Sequence, residues 1–262
     1  MTALPACFLT RPIAHRGLHD ASCGRPENSL AAFRAAIAAG YGIELDVQMS
    51  LDGAAMVFHD YHLGRLTDQT GPIAQRPAAD LAGITLSGGQ DSIADLKQVL
   101  DLIAGQVPLL IEIKDQDGNM GPAVGPLEAA VAEALSLYRG EVAVMSFNPH
   151  SVVAFGKIRA DIPLGLVTDR FEPDDWPSLS AERRKYLAQI SDFGTSMPAS
   201  TSSKPARQFI RRGRSARARP LAQQYTTHAA RHLQVLLNAM LHPSAPREPP
   251  DHLPGGPRPA QP

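Results

Sequence analysis

The 262-residue chain has only two cysteines, Cys7 and Cys23, a single tryptophan and 5% aromatic residues. With no His or Cys at zinc-ligand spacing beside either cysteine, neither a disulfide framework nor a cysteine metal site is expected. No run approaches the roughly 18 to 20 apolar residues that cross a bilayer, so no transmembrane segment is expected. The opening MTALPACFLTRPIAH lacks a basic n-region, a long apolar core and a small-residue cleavage site, which points to a cytoplasmic setting. Glycine-rich nucleotide loops and a Gly-x-Ser-x-Gly elbow are also missing, leaving nucleotide-dependent and serine-hydrolase chemistry without support.

Net charge is close to zero as well, at -1, but this mean hides an asymmetry. Residues 193–262 hold ten Lys and Arg against two acids, Glu248 and Asp251, a local +8 that leaves residues 1–192 at -9. Eleven of the 23 prolines fall in the same 70 residues. Stretches such as RRGRSARARP cannot bury enough apolar surface to offset their ordering entropy, so a mostly disordered basic tail is expected. Only residues 225–241 carry helical amphipathicity there. Basic charge of this kind attracts nucleic acid or anionic lipid without specificity. Aromatic residues barely interleave it, so no specific nucleic-acid function is expected. Oligomeric state leaves no signature.

Residues 1–192 have the alternation of a parallel α/β architecture. Strands are expected at 12–15, 42–47, 55–59, 107–114, 142–147 and 163–168. Helices are expected at 29–39, 93–104, 127–137, 151–158 and 182–190, with Asn28 as N-cap of the first and Gly40 as its stop. A short turn at Asp52-Gly53 joins the second and third strands, as a hairpin or as neighbours that have lost their helix. The segment 62–92, rich in Gly, Pro and polar residues, is too long for a structureless loop and is expected to be an insertion or small subdomain.

Ionisable residues gather at strand ends: His15 and Arg16, Glu44 and Asp46, His59 and Asp60, Glu112 and Lys114. Residues two apart on a strand share a face, so Glu44 pairs with Asp46 and Glu112 with Lys114. In a closed parallel barrel that face is the interior, and the C-terminal mouth carries the chemistry. Three converging carboxylates repel one another unless a hard cation such as Mg²⁺ or Ca²⁺ joins them. An edge strand turning Glu44 and Asp46 to solvent, with a surface Glu112–Lys114 ion pair, satisfies the same spacing.

The segments IAHRGLHD, PENSLAAF, GIELDVQMSLDG, MVFHDYHLGRLTDQTG and PLLIEIK, in this order and spacing, resemble the glycerophosphodiester phosphodiesterase family over about residues 12–170. The resemblance implies a TIM barrel with an insertion after the third strand, and metal-dependent hydrolysis of glycerophosphodiesters to an alcohol and glycerol 3-phosphate. It implies Glu44, Asp46 and Glu112 as metal ligands, His15 and His59 as the acid/base pair, and Arg16 and Lys114 as phosphate contacts. Phe147 would line the glycerol or headgroup pocket, and Asp60 would orient its neighbours. In the family the glycerol 2-hydroxyl attacks phosphorus, and water opens the resulting cyclic phosphate. Related barrel enzymes acting on lysophospholipid or sphingolipid headgroups use a similar arrangement, and a catalytically impaired truncated homologue is a further alternative.

The chain departs from the family in its last third. An eight-stranded barrel is expected to be incomplete here, with about six strands, and no W-T-V-like segment occurs: the one tryptophan, Trp176, sits in a DDWP turn. The change of composition after about Asp192 is what a shifted reading frame in GC-rich coding sequence produces. Loss of two strands exposes sheet edges, from which poor solubility and weak activity are expected.

Overall fold

A computed structural model of the protein describes residues 2–193. The expected disordered tail, the expected helix at 225–241 and the expected frame shift all lie outside these residues. The strands are β1 (Ile13–His15), β2 (Gly42–Met49), β3 (Ala55–Val57), β4 (Leu109–Ile113), β5 (Val142–Ser146) and β6 (Leu164–Leu166). The helices are α1 (Cys7–Thr10), α2 (Leu30–Ala38), α3 (Ala78–Leu81), α4 (Leu96–Ile103), α5 (Pro126–Ala134), α6 (Pro149–Ile158) and α7 (Ala181–Phe193).

Strands β1, β2, β4, β5 and β6 lie side by side in chain order and are all parallel, the order of a TIM barrel. The sixth, β3, is the hairpin alternative: it pairs antiparallel with the C-terminal end of β2, Val47 opposite Val57. The hairpin returns the chain to the mouth of the sheet, where the Phe58 N–H donates to the Asp46 carbonyl at 3.1 Å. His59 therefore reaches the same end as the other strand-end residues by doubling back.

Both faces of β2 are buried. Ile43, Leu45 and Val47 point outward into a core shared with Phe33, Val99, Ile111, Val131 and Phe155. Glu44, Asp46 and Gln48 point inward. Lower on that inner face, Leu110, Ala143 and Met145 pack with Val167 and with Phe8 of α1, giving the polar mouth an apolar floor. The segment 62–92 has its own apolar cluster, in which Leu63, Ile73, Leu81 and Leu86 pack on Met56, Phe58 and Ile93.

Local chemistry sets the helix starts. Ser29 caps α2, its Oγ accepting from Ala32 N at 3.1 Å, and Asp95 caps α4, accepting from Gln98 N at 2.7 Å. The expectation that Asn28 is the cap fails because its backbone is left-handed, φ 57°, and its side chain points into the barrel. Gly40, φ 70°, follows the end of α2 as expected.

Candidate active site

Strand register gathers the expected residues. In the parallel pair of β1 and β2, His15 stands opposite Glu44; in the pair of β2 and β4, Asp46 stands opposite Glu112. Side chains at one level of parallel neighbours point the same way, so the three carboxylates converge. One oxygen of each of Glu44, Asp46 and Glu112 lies within 4.8 Å of the others. Glu44 is 1% exposed, Asp46 0% and Glu112 5%, which excludes the edge-strand alternative.

The turn after β1 is built for close approach. Arg16 has φ 56° and Gly17 φ 79°, and a Cβ on Gly17 would lie 2.9 Å from the Ala32 and Phe33 side chains. Only glycine fits, and the turn aims the Arg16 N–H at Glu44 Oε2, 2.9 Å away. Glu44 Oε1 has no hydrogen-bond partner. Burial, with Asp46 and Glu112 beside it, pushes the Glu44 carboxyl well above the usual carboxylate range. For Asp46 burial acts in the same direction, but Lys114, His59 and Arg16 outweigh it and hold this group well below that range. Lys114 Nζ lies 2.8 Å from Asp46 Oδ1 and 2.5 Å from Glu112 Oε1, and these carboxylates keep it charged despite burial.

The histidines flank this cluster differently. His15 Nε2 is 3.9 Å from Glu44 Oε2; burial, then the Arg16 charge, lowers its pKa to about 4, so the imidazole is neutral at pH 7. His59 Nδ1 is 2.6 Å from Asp60 Oδ1, which leaves its Nε2 without a demand from that side. Burial raises Asp60, but the hydrogen bonds from His59 and Arg65 prevail and keep it ionised.

Several residues that sequence reasoning passed over complete the arrangement. Arg65 forks between Asp60 and Glu27, with Nε 2.5 Å from Asp60 Oδ2 and Nη2 2.7 Å from Glu27 Oε1. Glu27 also accepts from Arg16 Nη1 at 2.8 Å, and Arg16 Nε lies 3.3 Å from Asp46 Oδ2. Ion pairs therefore link His59 to Asp46 by way of Asp60, Arg65, Glu27 and Arg16. Asn28 Nδ2 donates to Asp46 Oδ2 at 2.9 Å, and Gln48 Nε2 donates to the His59 carbonyl at 3.0 Å. The PEN segment and the Gly-Arg after the hairpin were the available signals for Glu27, Asn28 and Arg65.

His15, Arg16, His59, Glu112, Lys114 and Phe147 line one cavity of about 810 Å³, which also includes Tyr61, Asp169 and Trp176. A second cavity of about 820 Å³ lies between α4, α5 and the β2–β3 turn, and none of the expected site residues lines it.

The donor set fits a hard divalent cation. All three ligands are carboxylate oxygens, and Glu44 Oε1 is a buried acceptor with nothing to accept from. Three carboxylates beside Arg16 and Lys114 leave one negative charge. A divalent ion reverses that to one positive charge, the complement of a phosphodiester monoanion.

A model of the Glycerophosphoryl diester phosphodiesterase family matches residues 15–226. A glycerophosphodiester phosphodiesterase of Bacillus altitudinis is 29% identical over 213 residues, 78% of this chain and 85% of its own length. The uncharacterized protein YqiK of Bacillus subtilis is 31% identical over 192 residues, 71% of this chain and 74% of its own. Among solved structures, an Oleispira antarctica phosphodiesterase in complex with the product sn-glycerol-3-phosphate superposes with TM-score 0.55 at 30% identity, covering 69% of this chain and 72% of that one.

Proposed function

The chain belongs to the glycerophosphoryl diester phosphodiesterase family, and from that premise we propose that it hydrolyses glycerophosphodiesters to an alcohol and sn-glycerol 3-phosphate, using two histidines and a bound divalent cation, Mg²⁺ or Ca²⁺. The observation that carries this reading is the buried convergence of Glu44, Asp46 and Glu112 beside His15 and His59. Glu44, Asp46 and Glu112 would hold the ion, which when bound supplies Lewis-acid stabilisation of charge on the phosphoryl oxygens.

The protein's own groups do the rest. Arg16 offers a guanidinium fork and Lys114 a point charge to the phosphate, and both are held in place by carboxylates. Hydrolysis needs one proton removed from the nucleophile and one delivered to the leaving alcohol oxygen. His15 and His59 take these two roles and exchange them between formation and opening of a cyclic phosphate. Asp60 fixes the ring of His59 and stabilises the imidazolium that forms. In this reading residues 1–192 are the catalytic unit, with 62–92 inserted, and the basic segment 193–262 is an appendage.

Release of sn-glycerol 3-phosphate from glycerophosphocholine, measured with added Mg²⁺ or Ca²⁺ and with chelator, tests the proposal. Turnover is expected with metal, is lost with chelator, and falls about 10² to 10⁴-fold in His15→Ala. Turnover unaffected by chelator or by that substitution would contradict it.

A further inference from the structure

The cavity is chemically lopsided. Its Lys and Arg are Arg16, Arg65 and Lys114. Each is already ion-paired with protein carboxylates, and they lie directly after β1, directly after β4 or in the segment after the hairpin. The strand order sets Phe147, which follows β5, and the loop after β6 on the other side of the mouth from His15 and Arg16. There the described lining residues are Phe147, Asp169, Asp175 and Trp176, with no cation among them.

This wall is organised around the indole. Asp169 Oδ2 accepts from Trp176 Nε1 at 3.0 Å, which fixes the ring and makes its face more electron-rich. The Phe147 and Phe171 ring centroids each lie 5.2 Å from that of Trp176, at interplanar angles of 55° and 48°. Phe171, 4% exposed, packs with Leu179, Leu187 and the cavity-lining Met120, while Trp176 remains half-buried at the cavity. Asp175 adds an exposed carboxylate beside it. An aromatic face next to carboxylates attracts a large, weakly hydrated cation. A polyol, which needs donors as well as acceptors, finds few donors here, and an anion finds no cation among these lining residues.

We propose that this wall is the subsite for the leaving alcohol and that it selects phosphodiesters whose alcohol carries a quaternary ammonium group of the choline kind. The proposal rests on the diesterase reading above and names its substrate class. The same headgroup occurs on a deacylated diester and on a lysophospholipid, so the recognised chemistry is shared by the two.

Because Trp176 is the only tryptophan, its fluorescence reports on this subsite without relying on turnover. The full chain is titrated with choline and with its neutral isostere 3,3-dimethylbutanol. Choline is expected to give a saturable change in emission at about tenfold lower concentration than the isostere, and Asp175→Asn, at an exposed position, weakens choline alone. In parallel, kcat/KM for glycerophosphocholine is expected to exceed that for the glycerophosphoryl ester of 3,3-dimethylbutanol about tenfold, and Trp176→Leu brings the ratio near unity. Lysophosphatidylcholine as a third substrate distinguishes the lipid source from the deacylated one, and preference for either over its uncharged isostere supports the subsite. Equal emission responses together with equal hydrolysis of charged and neutral esters overturn the subsite and leave the diesterase reading intact. No hydrolysis of any ester removes that reading and this assignment with it.

Discussion

The centre of the sheet and its margins follow opposite rules. Strands β2 and β4 have a strand neighbour on each side and are buried on both faces, and they carry all three converging carboxylates. Strands β1 and β6 are three residues each and, among the described residues, pair on one side only. Charge that must stay within a few ångströms of other charge sits where register leaves no freedom. The aromatic wall proposed to take the leaving alcohol hangs instead from the segments that follow β5 and β6. The central carboxylates are tolerable because the outer faces of the same strands pack into the largest apolar core among the described residues.

The largest effect should come from breaking the centre. Glu44→Gln keeps an acceptor for the Arg16 N–H but removes one of three repelling charges, so hydrolysis drops at least about 10²-fold while the metal-free protein becomes more stable. The sign follows from linkage. A carboxyl whose pKa is raised by folding binds more protons folded than unfolded, so its contribution worsens as pH climbs above the ordinary carboxylate range. In chelator the gain in Tm for Glu44→Gln is therefore larger at pH 8 than at pH 4, which differential scanning calorimetry measures.

Next comes the link between centre and rim. Arg65→Ala frees Asp60 and with it the ring of His59, and should lower kcat about 10 to 100-fold with a smaller change in KM. Arg65→Lys should not restore the rate, because one ammonium cannot bridge two carboxylates as the guanidinium does. Steady-state kinetics of both variants decide the point.

Two truncations sharpen the contrast in packing. Ile111→Ala in β4, where the side chain is fully buried, is expected to cost about 4 kcal/mol, against about 2 kcal/mol for Leu166→Ala in the marginal β6. Urea unfolding measures both, and equal losses would show that the margin is as tightly packed as the centre. The smallest effect is local: Ser29→Ala removes the α2 cap and should cost about 1 kcal/mol with little change in turnover.

Much of the centre was legible in the sequence because it depends on short-range periodicity. Glu44-x-Asp46 and Glu112-x-Lys114 each put two charges on one strand face, and all six strands lie within their expected ranges apart from the two extra residues at the end of β2. Residues whose roles depend on distant partners were harder to read. Asn28 looks like a helix cap until a left-handed backbone turns it toward Asp46, and the capping passes to Ser29. Nothing near Arg65 in sequence tells that it reaches Glu27, 38 residues away. Trp176 reads as a turn residue, and its place on the cavity wall depends on Asp169 and Phe147. The hairpin was left open by the Asp52-Gly53 turn and is decided by pairing with the far end of β2.

The central claim is that Glu44, Asp46 and Glu112 share one divalent ion at the mouth of the sheet. Anomalous diffraction from crystals soaked in Mn²⁺ tests it directly. A single peak is predicted within about 2.0 to 2.6 Å of an oxygen from each of the three carboxylates. A peak elsewhere, or no peak while Lys114 remains closed on Asp46 and Glu112, would contradict it.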